Sequence, residues 1–337
     1  LIWKYLLRRE LFKARRAKLK KALLKQINDL TLLCNLEKKE KKAIFKIETG
    51  ILKVMVDKLI EKGFYWFLPV ILAKSTDPLW PDTQASIEKR VELEIYNEKV
   101  KAMQSMIIHK RILVSSGIEK IFVLSPNIRI ERRERAETGK HLYEFTQLDI
   151  EAAYWRMKDI FKLFEELIKS SIIYVKENFN EEFKTLKREV KTLETPFKIF
   201  NRVELEEKYG ENWELSLSKA LENPVWVTNI PREFYDYEDE ETGEWRNFDL
   251  ILPEGYGEVI SGAEREYEYE KIIKKMNRDG LNKNDYSVLL SFAKEGKLKP
   301  STGAGLGIER FISYVCGVKH AAEVQPFPRI PGIVPEL

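Results

Sequence analysis

The sequence predicts an α+β fold, an antiparallel sheet with helices around it. Strand-like runs follow one another without crossover helices, first IFVL, NIRIE and EFTQLDIEA, then VWVTNI, WRNFDLILP and YGEVISG. Amphipathic helical stretches flank these runs. Hydrophobic residues make up 44% of the 337-residue chain and charged residues 33%, enough to bury a large core and too apolar for global disorder.

From the start, WKYLLRRELFKARRAKLKKALLKQI has leucines and alanines at helical spacing and reads as a basic amphipathic helix. Lys41 to Lys62 is a second helix, with Ile44, Ile47, Ile51, Val54 and Leu59 near one face and Gly63 as its stop. FYWFLPVIL then reads as a buried strand broken by Pro69, followed by a loop, STDPLWPDT. Part of Val91 to Val114 is expected to be helical. Tyr154 to about Asn178 is a long helix with Met157, Phe161, Phe164, Ile168, Ile172 and Val175 inward. The charged stretch 179–222 gives no clear boundaries. Ala263 to Met276 and Lys283 to Lys294 read as helices, and STGAGLG as a Gly-rich turn feeding the helix IERFISYVCG.

The net charge of +4 hides an asymmetry. Residues 1–42 hold 14 Lys and Arg against 4 Asp and Glu, a surplus of +10 that leaves −6 for the rest. This segment is either a handle for nucleic acid or an anionic membrane, or a helical extension packed on the body; the second, plainer reading is preferred. Phe64 to Ala73 is too short an apolar run to span a bilayer, so no membrane association is expected. Cys34 and Cys316 cannot build a disulfide framework, which points to a reducing, cytoplasmic setting. Three histidines and no Cys-x-x-Cys leave little material for structural zinc. Many Lys and Glu with few Gln lean toward a heat-adapted source.

Chemistry-bearing residues fall into three groups. In NIRIE the strand period puts Arg129 and Glu131 on one face, and in EFTQLDIEA it gathers Phe145, Gln147, Asp149 and Glu151, opposite Thr146, Leu148 and Ile150. Between them lies a basic loop, RRERAETGKHLY. Such a face is either an outer solvated surface or a site for a polyanion bearing an aromatic base, and periodicity leaves both open. The second group is GAGLGIER. It is neither a dinucleotide fingerprint nor a P-loop, but its alternate glycines leave one strand face bare, and Arg310 stands in the first turn of a helix, where an acid would be expected. The third is Asp249, Glu258 and Ser261, oxygen ligands suited to Mg²⁺ or else an exposed acidic hairpin, with Arg265 just beyond.

Read together, these blocks resemble the class II aminoacyl-tRNA synthetase catalytic domain, in the aspartyl/asparaginyl subgroup, from about Ile44 to the C-terminus. GFYWFLP resembles motif 1, IRIE…KHLYEFTQLDIE motif 2, and GAGLGIER with PFPRIPG motif 3; QSMIIHK and YGEVISGAEREYEYE resemble the segments before motifs 2 and 3. The resemblance implies ATP and Mg²⁺ as cofactors. Arg129 would bridge the reacting carboxylate and the α-phosphate, Glu131 would meet the adenine amino group, and Phe145 and Arg310 would sandwich the base. Arg310 and His141 would reach the outer phosphates, and Asp249, Glu258 and Ser261 would hold Mg²⁺, although the interval from Asp249 to Glu258 is longer than the family's. Gln147 and Asp149 would hold the substrate amino group, and Lys110 and Arg265 its carboxylates.

Lys110 matches aspartyl enzymes, and a buried ammonium with no anionic partner would select a carboxylate substrate. Ile107 and Glu264 stand where the subgroup carries glutamines, so the pocket is expected to be altered around the amino acid. The subgroup also carries an N-terminal anticodon-binding β-barrel, whereas the forty or so residues ahead of the resemblance read as helix. The expected division is therefore a basic helical extension, 1–42, and a catalytic domain, 43–337. On these grounds the chain looks similar to archaeal asparagine synthetases related to asparaginyl-tRNA synthetase. The implied reaction joins aspartate and ammonia through a β-aspartyl-adenylate. The alternative is an aspartyl- or asparaginyl-tRNA synthetase-like enzyme using tRNA. A homodimer through the motif 1 region is expected in either case.

Overall fold

The computed structural model describes residues 36–79 and 87–335. The chain enters through helix α1 (Lys39–Glu61), followed by the short strands β1 (Tyr65–Trp66), β2 (Leu72–Ala73), β3 (Ile87–Lys89), β4 (Glu92–Ile95) and β5 (Glu98–Ala102). Helix α2 (Ile107–Ser115) leads to β6 (Lys120–Ile128), β7 (Ile130–Glu131) and β8 (Glu144–Ala153), and then to the long α3 (Met157–Asn178). A smaller group follows: α4 (Asn180–Leu186), β9 (Lys198–Asn201), α5 (Arg202–Tyr209), α6 (Trp213–Ala220) and β10 (Val225–Thr228). The last part comprises β11 (Asn247–Leu252), β12 (Gly257–Glu264), α7 (Tyr269–Arg278), α8 (Ser287–Lys294), β13 (Ser301–Gly307) and α9 (Ile308–Cys316).

One large sheet runs in the order β1-β6-β8-β13-β12-β11-β10-β9. Its six central strands pair antiparallel, while β1 joins β6 and β9 joins β10 in parallel at the two edges. The fold class predicted from the sequence is the one observed. Alternation sends Leu148, Ile150 and Ala152 of β8, Ala304 and Leu306 of β13, and Phe248 and Leu250 of β11 to one face. There they meet Ile47, Ile51 and Met55 of α1, Ile160, Phe164 and Ile168 of α3, and Phe311 and Ile312 of α9. Phe161 stacks on Trp226 with ring centroids 4.3 Å apart. The helix layer closes this face, so the opposite face is left for polar residues.

Several local expectations change. STGAGLG is a central strand, β13, not a turn: Gly303 and Gly305 meet side chains of β8, and it is paired on both edges. FYWFLPVIL carries only the two-residue strand β1 and the start of β2, and beyond the buried Phe64 much of it is exposed: Trp66 is 52% and Leu68 86% exposed. Within 91–114, strands β4 and β5 precede the helix. The helix expected from Ala263 starts at Tyr269, because β12 continues through Glu264 to pair with Thr302. α1 begins at Lys39, ahead of the expected boundary at 42/43, and the Lys41 ammonium donates to the Gln325 carbonyl at 2.7 Å. The basic helix read from the opening sequence lies outside the described residues. No helix among the described residues is long and apolar enough to cross a membrane.

Candidate active site

The polar face of β8 and β13 forms the floor of a cleft. Register places Gly303 opposite Glu151 and Gly305 opposite Asp149. A Cβ at 303 would lie 1.8 Å from a Glu151 carboxylate oxygen, and one at 305 would lie 2.8 Å from the Gln147 amide nitrogen. The glycines are therefore needed so that the acidic side chains of β8 can lean across β13.

Cations from two other elements meet these acids. Lys110 of α2, 2% exposed, donates to Asp149 and to the Ile150 carbonyl (3.2 Å), and its ammonium is 3.6 Å from Glu151. Arg265, just past β12, donates to Glu151 (3.3 Å), Asp236 (2.8 Å) and the Gly303 carbonyl (3.0 Å). Ser301 donates to Glu151 at 2.7 Å. The buried Arg111 lies beside Glu151, Glu266 and Asp236 and donates to the Glu266 carbonyl. Burial pushes the Glu151 carboxyl up, but Arg265, Lys110, the Ser301 hydroxyl and Arg111 outweigh it and the net shift is downward. For Asp149 burial wins over Lys110 and the shift is upward. Lys110 is thus not an unpaired ammonium, and the expectation that it selects a carboxylate on that ground is corrected. Gln147 is held by a hydrogen bond from Asn127.

At the other end of the cleft the Arg129 guanidinium lies over the Phe145 ring, 5.2 Å from its centroid, with its Nε donating to the Gln104 carbonyl at 3.1 Å. Glu131 pairs with Arg135 at 3.2 Å. Arg310 leaves the first turn of α9 and donates to the Glu258 carbonyl; Lys140 pairs with Glu214 at 3.3 Å. The Thr138 hydroxyl hydrogen goes to the Arg135 carbonyl, so Thr138 Oγ1 accepts from His141 Nδ1 (2.6 Å), leaving His141 Nε2 to accept from Arg135 (2.8 Å). Burial, then Arg310, Arg135 and Lys140, hold the His141 imidazole down to about 2. It is a neutral ring with both nitrogens engaged. His141 lines the cleft with Arg310, as expected of it, and Arg135 and Lys140 stand beside it as further cations.

The expected metal ligands are placed differently. Asp249 and Ser261 face each other across β11 and β12, but both are taken by Arg232, which donates to Ser261 Oγ and to Asp249 Oδ2 (2.5 Å). Asp249 Oδ1 is buried without a hydrogen-bond partner. Burial pushes the Asp249 carboxyl up to about 7, with Arg232 opposing and Glu258 reinforcing. Among the described residues no group of three or more His, Cys, Asp or Glu could hold a metal ion. The oxygen chemistry suits Mg²⁺, but two of the three donors are committed to a guanidinium, so the trio does not fit a resident ion as it stands.

Arg129, Glu131, Phe145 and Arg310 line one cleft of about 440 Å³ together with Lys110, Gln147, Asp149, Arg265, Glu258 and Ser261. That size suits a small-molecule site. The model of the class II tRNA synthetases (D, K and N) matches residues 31–331. The chain belongs to that family. Among its relatives, the asparagine–tRNA ligase of Thermococcus gammatolerans is 28% identical over 310 residues, which cover 86% of this chain and 69% of that one. The asparagine–tRNA ligase of Thermus thermophilus is 29% identical over 316 residues, with the same coverage. Among solved structures, asparaginyl-tRNA synthetase from Pyrococcus horikoshii, complexed with asparaginyl-adenylate, superposes with a TM-score of 0.80 at 26% identity, covering 90% of this chain and 72% of that one.

Of the residues expected at the family site, Asp249 alone does not line the cleft; it stands behind Arg232. Glu264 turns away from it: its carboxylate pairs with Arg156 (2.9 Å) and accepts from Met157 N (3.2 Å) at the start of α3. The expected alteration of the pocket at this position is therefore corrected, whereas Ile107 does line the cleft. Arg232 and Asp236 were not among the expected residues. Both lie in the irregular segment between β10 and β11, where no period assigns a face. Arg135 and Lys140 stand inside the basic loop already singled out, and their proximity to His141 is the signal that could have found them.

Proposed function

We propose that the chain is an ATP-dependent ligase that activates aspartate or asparagine as the acyl-adenylate and transfers the acyl group to tRNA. The observation that carries this is the placement of Arg129 and Arg310 in one cleft with Phe145, beside the buried Lys110–Asp149–Glu151–Arg265 network. A substrate carboxylate oxygen bonds to the α-phosphorus, the bond to the β-phosphate bridging oxygen breaks, and pyrophosphate leaves. A tRNA hydroxyl then attacks the carbonyl and AMP leaves. Arg129 and Arg310 stabilise the phosphate charge, the Phe145 face supports the adenine, and Glu131 accepts from its amino group. Asp149 and Gln147 take the amino group of the substrate, and Lys110 and Arg265 its far end. Mg²⁺ enters as the companion of ATP, whose phosphates provide the ligands that Asp249 and Ser261 do not.

Ammonia-dependent synthesis of asparagine, through a β-aspartyl-adenylate, is the second reading. It is supported by the two cations at the far end, Lys110 and Arg265, which can hold the α-carboxylate beside Asp149 and Asp236 while the side-chain carboxylate faces Arg129 and the α-phosphate. The catalytic unit is taken to include all of α1 from Lys39, with the residues ahead of it as a basic extension, and to work as a homodimer in the cytoplasm. The exposed Tyr65, Trp66, Leu68 and Ile71 form an apolar strip suited to a second copy.

The test is ATP–pyrophosphate exchange with aspartate and asparagine separately, then product analysis with tRNA and with ammonium. Exchange with one amino acid and acylated tRNA are expected, and Arg129→Ala should lower exchange by about a thousandfold. Free asparagine formed from aspartate and ammonium without tRNA would establish the second reading. No exchange with either amino acid would remove both.

A further inference from the structure

Arg232 sits where the family resemblance implies a divalent ion. Its guanidinium donates to Asp249 and Ser261 and lines the cleft beside Glu258 and Glu233, with its side chain 18% exposed. Asp249 and Ser261 are paired residues on adjacent central strands, so their oxygens are fixed by the sheet and not by a mobile loop. A planar fork with two N–H groups engaged satisfies one oxygen of each donor. A divalent ion bound to the same oxygens would have to displace the fork, leaving an arginine in a largely buried place with its partners removed.

We infer that Arg232 is a resident cation that excludes a protein-held divalent ion from Asp249 and Ser261. Metal then reaches this cleft only with the phosphates of a nucleotide. Removing the guanidinium uncovers a latent site for a hard divalent cation, built from Asp249, Ser261 and the neighbouring Glu258. The exclusion stands on these side chains alone; only the arrival of metal with nucleotide rests on the function proposed above.

The experiment measures Mn²⁺ binding to the whole chain without nucleotide, by electron paramagnetic resonance of the free ion. The wild-type chain is expected to show no site that Asp249→Asn removes. Arg232→Ala should gain one Mn²⁺ with a Kd at least tenfold tighter than any wild-type binding, and Arg232→Ala/Asp249→Asn should lose it. Wild-type binding that Asp249→Asn abolishes would overturn the inference, as would a folded Arg232→Ala chain that gains no ion. Should Arg232→Ala not fold, the comparison of wild type with Asp249→Asn decides alone. Because nucleotide is absent, an enzyme that fails to activate any amino acid would still return a clear answer here.

Discussion

Replacing Glu151 by Gln keeps the side-chain volume and removes one charge from a buried network. Lys110, Arg111 and Arg265 would then face one carboxylate fewer, with Asp149, Asp236 and, beside Arg111, Glu266 remaining. The carboxylate lost stands 3.3 Å from Arg265 Nε and 3.6 Å from the Lys110 ammonium. At an effective dielectric of about 20, each contact of this length is worth about 4 kcal/mol before the relief of desolvation is subtracted. Breaking a buried pair by removing one partner costs about 3–5 kcal/mol, and that is the expected loss of unfolding free energy for Glu151→Gln. Lys110→Met alone should cost a similar amount by stranding Asp149. The double variant removes one cation and one anion together and so restores the charge balance; it should lose at least about 2 kcal/mol less than the two single losses together. Urea unfolding followed by tryptophan fluorescence reads all three. Single losses below about 1 kcal/mol, or strict additivity, would refute the compensated-network argument.

The depressed His141 pKa gives a pH dependence with a definite sign. The folded ring stays neutral down to about 2, while the unfolded ring takes up a proton below about 6.5, so acid favours unfolding. Between pH 7 and pH 5 the wild type should lose about 2 kcal/mol relative to His141→Asn, measured by urea unfolding at each pH; equal slopes would show that the imidazole is not buried neutral. Glu264→Gln should leave the KM for amino acid within about twofold while costing about 0.5–1 kcal/mol of stability through the weakened Arg156 pair; a large KM change would return position 264 to the pocket. Leu68→Lys, at a residue 86% exposed, should shift the sedimenting species from dimer to monomer; an unchanged mass would move the interface elsewhere.

The fold and much of the site could be read from pattern because strand alternation is a local property. Phe145, Gln147 and Asp149 share a face as soon as β8 is recognised, and Leu148 and Ile150 must then face the helices. The glycine strip of β13 reads both as a bare face, which it is, and as a turn, which it is not, since glycines alone do not show that Glu151 will fill the space. Charge pairing was less accessible. That Lys110 ends on Asp149, or Arg232 on Asp249, depends on contacts 39 and 17 residues apart in the chain. Neither pairing has a period. The exposure of Trp66 and Leu68 is hidden for the opposite reason: an apolar run looks the same whether its own chain or another covers it.

The lean of Glu151 across Gly303 couples two positions that are far apart in sequence. Alanine at 303 would demand a shorter residue at 151, and a shorter residue at 151 would strand Arg265 and Lys110. Retuning the layer beneath this cleft therefore requires coordinated replacement on neighbouring strands, so drift toward a new substrate should proceed through cleft-lining residues outside that pair, such as Ile107, before it reaches Glu151.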